Sequence, residues 1–92
     1  MTVLTPAEIT QSLKAVPDWH IENGELRRGF SFLDFREAMS FVNSVAAVAE
    51  QAGHHPYIDI RYNKVRLTLV SHDAGGITEK DFSLANRIGI IL

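Results

Sequence analysis

The segment YIDIRYNKVRLTLVSH, Tyr57 to His72, decides the fold. Ile58, Ile60 and Tyr62 alternate with polar residues, and Val65, Leu67 and Leu69 do so again. That is the period of strands with one buried face. Asn63-Lys64 fits a two-residue turn between them, because asparagine accepts a left-handed backbone. With that turn Tyr62 faces Val65, Ile60 faces Leu67 and Ile58 faces Leu69, so the apolar residues gather on one side. Extending the ladder sets His55 opposite His72, with Cβ atoms about 4.5–5.5 Å apart. Pro56 cannot donate to a ladder and marks where a bulge would enter.

Upstream of this hairpin, residues 35–51 contain no Gly or Pro and are rich in Ala, Val and Phe. Asp34 to Glu37 forms a capping-box pattern that opens a helix, and Gly53 is its natural stop. Phe35, Ala38, Val42, Val45 and Ala49 make one apolar stripe, which Phe41 and Val48 widen. An arc this wide exceeds what one sheet face needs. It predicts a homo-oligomer, dimer or tetramer, with this helix at an interface.

Earlier still, Asn23-Gly24 is a hairpin turn within residues 19–32. Thr5-Pro6-Ala7-Glu8 opens a first helix, stapled by Leu4 and Ile9 and ended by Pro17. Downstream, Thr78 to Asp81 opens a third helix, with Leu84, Ala85, Ile88 and Ile91 inward. The order is α-β-β-α-β-β-α. It predicts an α+β two-layer sandwich, a four-stranded antiparallel sheet with three helices on one face.

Composition narrows the function classes. The chain has 92 residues, 46% hydrophobic and 22% charged, which fits a single domain over residues 1–92. The net charge of −2 argues against nucleic-acid binding. There is no cysteine, hence no disulfide and no thiolate metal site. The first ten residues lack the charged and apolar regions of a signal peptide, and no apolar run is long enough for a membrane span. A cytoplasmic protein is expected.

Histidine carries the chemistry. His54, His55 and His72 cluster at one end of the predicted hairpin. Histidine exchanges protons near neutral pH, and two adjacent rings disfavour double protonation. One ring can then give a proton while another takes one. Glu50 lies one helical turn before His54 and is placed to orient a ring nitrogen. Asp73 and Asp81 are further acids nearby, although an acid at the third position of a helix ordinarily caps it. His20, alone in the first hairpin, reads as structural, and Trp19, Tyr57 and Tyr62 as core or sheet-face aromatics. Three histidines with Asp73 could hold zinc, but neighbouring residues on a strand converge poorly on one ion. No metal is expected. No phosphate loop or nucleophile elbow is present.

Three segments carry a resemblance: Glu50-Gln51-Ala52-Gly53-His54-His55-Pro56, Tyr62-Asn63-Lys64-Val65, and Thr68-Leu69-Val70-Ser71-His72-Asp73. Phe32-Leu33-Asp34-Phe35 with Glu37-Ala38, and Thr78 to Phe82 with Leu84-Ala85, flank them. Over nearly its whole length the chain resembles the pterin-4a-carbinolamine dehydratases. In animals these also serve as a dimerisation cofactor of a homeodomain transcription factor. The resemblance implies a lyase that dehydrates 4a-hydroxytetrahydropterin (4a-hydroxytetrahydrobiopterin) to quinonoid dihydropterin in pterin recycling, with no cofactor. It implies His54, His55 and His72 as catalytic residues and Glu50 and Asp81 as their acidic companions. Gly53, Ser71, Asp73 and Lys80 fall in segments that contact the pterin. Lys80 departs from the arginine frequent there and loses the planar fork. The resemblance also points to dimers and tetramers. The alternatives are a protein-binding module on the same fold and a metal-binding protein.

Overall fold

In the computed structural model, which describes residues 2–92, the elements follow the expected order. Helix α1 spans Pro6–Leu13, strands β1 and β2 span His20–Glu22 and Glu25–Ser31, and helix α2 spans Phe35–Ala52. Strands β3 and β4 span Tyr57–Arg61 and Lys64–Leu69. A 3-10 turn at His72–Ala74 then leads to helix α3, Glu79–Ile90. The sheet runs β1-β2-β4-β3, antiparallel throughout. Helix α2 therefore carries the chain across β4's place in the sheet, and β4 inserts between β2 and β3. Among the described residues no helix is long and apolar enough to cross a membrane.

The helix starts follow their local chemistry. Thr5 and Glu8 satisfy each other's backbone N–H groups at the start of α1. Asp34 accepts from the Glu37 N–H at 2.9 Å, but Glu37 reaches back to the N–H of Leu33 rather than that of Asp34. Helix α1 ends at Leu13, before Pro17, and Val16 enters the core from the turn that follows.

Asn23 and Gly24 both adopt positive φ, 52° and 73°, as a twisted two-residue hairpin turn requires. On the outer sheet face this hairpin is clasped by Arg27, whose guanidinium donates to Glu22 and Glu25. The His20 hydrogen bond, then the Arg27 charge, hold the Glu22 carboxyl below the ordinary carboxylate range. The clasp's contribution is thus present at neutral pH and fades as pH falls through the lowered value.

The second hairpin departs from the sequence-based register. Ile60 faces Val65 and Ile58 faces Leu67, so each β3 residue meets a β4 residue two positions earlier than expected. The turn residues are Tyr62 and Asn63, and Tyr62 takes the positive φ, 54°. Asn63 is occupied elsewhere. Its side-chain amide donates to the Phe32 carbonyl at 2.8 Å, and its own carbonyl accepts from the Phe32 N–H at 2.9 Å. This clamp to the end of β2 fixes the turn one residue early. A shift of two preserves the faces, so Val65, Leu67 and Leu69 still point inward with Leu26 and Phe30. His55 and His72 are not a cross-strand pair, because both lie outside the strands.

The core joins those strand residues to Ala38, Phe41, Val42 and Val45 of α2 and to Phe82, Leu84, Ala85 and Ile88 of α3. Ile91, expected inward, is 36% exposed. Phe41, expected at an interface, is 7% exposed and packs on Phe30 and Phe32 at ring-centroid distances of 4.7 and 5.1 Å. Apolar side chains left open near α2 include Leu33, Phe35 and Tyr62 around its start, and Ile91 and Leu92 beside Phe41. Phe41→Ala is expected to cost about 3 kcal/mol, measured by urea unfolding, and Phe41→Glu to prevent folding rather than to split an assembly.

Candidate active site

The sheet topology brings four chain ends together. Helix α2 ends, and β3 begins, at the edge of the sheet where β4 ends and α3 starts. Gly53 makes the first connection. It terminates α2 with φ 64°, and the N–H groups of Gly53 and His54 return to the carbonyls of Glu50 and Ala49. That reversal throws His54 and His55 off the helix axis. On the other side, Ser71 pairs with Gly76 in an isolated bridge that closes the loop around the 3-10 turn and delivers His72 and Asp73.

Between these segments lies a cleft of about 260 Å³, lined by Gly53, His54, His55, Val70, Ser71, His72, Asp73 and Lys80. Glu50 and Asp81 stand behind it as hydrogen-bond partners of the histidines. All nine residues singled out in the sequence therefore surround one cavity, while His20 lies apart, bonded to Glu22 at 3.2 Å. Wider concavities of about 480 and 760 Å³ lie on the open sheet face and beside the start of α2. Neither has a histidine in its lining, so size does not identify the site.

The three histidines are held differently. His54 Nε2 meets Asp81 Oδ1 at 2.5 Å, and the two side chains are 14% and 0% exposed. A carboxylate only accepts, so opposite Asp81 it is Nε2 that carries the hydrogen. The other carboxylate oxygen, Oδ2, accepts from the Ser71 hydroxyl and the Thr78 N–H, both at 2.9 Å. Asp81 caps α3 and anchors His54 with the same group. His55 Nε2 meets Glu50 Oε2 at 2.5 Å, but this pair is open to solvent, 64% and 75% exposed. His72 Nε2 meets the Tyr57 hydroxyl at 2.6 Å, with the two rings edge to face.

Ser71 and Tyr57 make contacts that the sequence does not show. Ser71 is buried and its polar atoms serve the turn: the hydroxyl holds Asp81 and contacts Thr78, the N–H donates to Gly76, and the carbonyl accepts from Ala74 and Gly75. It lines the cleft as well. Tyr57, read as a sheet-face aromatic, touches His72, which the turn after β4 brings back beside the first residue of β3. Among the described residues no group of three or more His, Cys, Asp or Glu side chains is arranged to hold a metal ion.

The family model for pterin 4 alpha carbinolamine dehydratase matches residues 2–91. The chain belongs to the pterin-4a-carbinolamine dehydratase family. A relative from Acidobacterium capsulatum, provisionally named as such a dehydratase, is 55% identical over 92 residues, covering all of both chains. Another from Chloroflexus aggregans, with the same provisional name, is 56% identical over 93 residues, covering 100% of this chain and 99% of that one. Among solved structures, a transcriptional coactivator/pterin dehydratase from Brucella melitensis matches with a TM-score of 0.92 at 34% identity, covering 98% of each chain. A pterin dehydratase-like protein identified as a RuBisCO assembly factor in the alpha-carboxysome shares the fold, with a TM-score of 0.64 at 24% identity over 79% of this chain and 84% of that one.

Replacing Asp81 by Asn puts an amide NH2, a donor, where one of the two accepting oxygens faces the hydrogens of His54, Ser71 or Thr78. This is expected to lower stability by about 2–3 kcal/mol, whereas Glu50→Gln, at an exposed pair, should change it by less than about 0.5 kcal/mol. Thermal unfolding of the two variants side by side checks the contrast.

Proposed function

We propose that the protein is a dehydratase, a carbon–oxygen lyase, that converts 4a-hydroxytetrahydropterin to quinonoid dihydropterin and water. The observation that carries this reading is a cleft holding three imidazoles, two of which have one nitrogen committed to a carboxylate. Family membership supports the same reading. The reaction needs two proton movements. The 4a-hydroxyl takes a proton and leaves as water, and the neighbouring ring N–H loses a proton as the C=N bond forms. An acid and a base across one small bicyclic ring suffice, and histidine serves as either.

In this scheme His54, His55 and His72 exchange the protons. Asp81 and Glu50 fix the ring tautomers of His54 and His55. Gly53, Ser71, Asp73 and Lys80 border the pterin. No cofactor takes part. The setting is pterin recycling in the cytoplasm, by a homo-oligomer. The surface for self-association is the exposed group Leu33, Phe35 and Tyr62 rather than Phe41. That group lies by the start of α2, about 25 Å from the histidines at its end. A protein-binding role for the same fold would use this surface too, and would leave the cleft idle.

The test is the breakdown of a 4a-hydroxytetrahydropterin with and without the protein. His55→Ala and His72→Ala are each expected to slow it by roughly 10²–10⁴-fold with the fold retained, and His20→Ala to leave it unchanged. A rate equal to the uncatalysed one with wild-type protein, or full activity in the double variant His55→Ala/His72→Ala, rejects the reading.

A further inference from the structure

Of the three cleft histidines, His72 has the least to hold it. His54 is part-buried, against the fully buried Asp81. His55 follows His54 directly out of the capped end of α2 and has Glu50 beside it. His72 is exposed and opens a three-residue 3-10 turn beyond the end of β4. An exposed imidazole on such a turn ordinarily samples several rotamers and both tautomers. Here its Nε2 lies 2.6 Å from the Tyr57 hydroxyl, and the Tyr57 ring stands edge-on at 5.6 Å and 72°.

Tyr57 is well placed to act as the support. It is the first residue of β3, and its backbone is set by the ladder opposite Thr68. Its phenol is rigid, with two rotatable bonds to the ring. The sheet thus carries the partner, and the turn carries the ring that needs fixing. The partner also differs in kind from Asp81 and Glu50. A carboxylate accepts only, whereas a phenol both donates and accepts. The hydrogen bond to Nε2 therefore survives when the ring is neutral, with the phenol donating, and when it is protonated, with Nε2–H donating. Tyr57 can hold His72 through a whole proton cycle without setting a negative charge beside it.

We infer that Tyr57 is a positioning residue for His72, fixing the tautomer and orientation of that imidazole at the mouth of the cleft. The inference rests on the dehydratase reading for its effect on rate, but not for its effect on the ring.

Tyr57→Phe removes one oxygen from an exposed side chain and keeps the ring, so the fold is retained. Two measurements are made on it. Nitrogen-15 NMR of the imidazoles is expected to show one dominant tautomer for His72 in the wild type and averaged ring-nitrogen shifts in the variant, with the His54 and His55 signals unmoved. Steady-state dehydration is expected to show kcat lowered on the order of 10-fold, the size found when the partner orienting a metal-bound imidazole is removed, with KM changed by less than about 2-fold. An unchanged His72 spectrum overturns the inference. So does movement of all three histidine spectra, which would mark a structural role, or an unchanged kcat alongside an active wild type. If the wild type does not dehydrate the pterin, the dehydratase reading falls instead, and the NMR comparison alone decides whether Tyr57 fixes the ring.

Discussion

One carboxylate ties three separate stretches of chain together. Asp81 is fully buried, and taking a charge out of water costs several kcal/mol unless donors replace the lost hydration. The replacements come from the loop after α2 (His54), from the segment after β4 (Ser71) and from the start of α3 itself (Thr78). None of these can move away without leaving the charge short of a partner. The start of the last helix, the return of the chain after β4 and the orientation of a cleft histidine are therefore one interaction. The capping box of α3 sits inside that network, so the acid that a sequence reader assigns to helix capping also shapes the site.

The sheet order explains why those stretches meet at all. Had β3 followed β2 directly in the sheet, α2 would not need to span its length. Because β4 occupies the middle, α2 must carry the chain to the far edge and release it at the end where β4 finishes. The left-handed Gly53 allows that release with only His54, His55 and Pro56 between it and the start of β3. Cleft residues thus come from connections rather than from strands, while the strands supply the rigid edge on which those connections rest.

The apolar period of β3 and β4, the Asn23-Gly24 turn and the caps at Thr5, Asp34 and Thr78 were all legible, because each is a local signal in neighbouring residues. The register of the second hairpin was not. Asn63 carries a strong turn signal, but a contact with Phe32, thirty-one residues away, fixes how it is used. The expected pairing of His55 with His72 across a ladder failed for the same reason, although the two still share a cleft. The shift of two kept the strand side chains on their faces while Tyr62 passed into the turn, and the histidines reach the cleft through loops the ladder count ignored. Phe41 was misjudged because Phe32, just beyond β2, folds back to cover it. Tyr57 was missed because its partner lies past the end of the paired strand.

The two kinds of histidine support also divide the labour between folding and chemistry. In the Asp81–His54 pair the carboxylate is fully buried and the imidazole part-buried, so a ligand entering the cleft changes this hydrogen bond less than the two exposed ones. The Glu50–His55 and Tyr57–His72 pairs are exposed, and in open solvent such contacts contribute little to stability. On the dehydratase reading, a flat bicyclic ring filling the cleft displaces water from their faces. The same hydrogen bonds then act in a medium of lower dielectric, where electrostatic interactions strengthen severalfold. Interactions that grow as the reaction proceeds are the ones that raise the rate, and those equally strong throughout do not. By that criterion the Asp81 hydrogen bond to His54 serves mainly the shape of the site, and the two exposed hydrogen bonds are the ones that substrate binding would strengthen most.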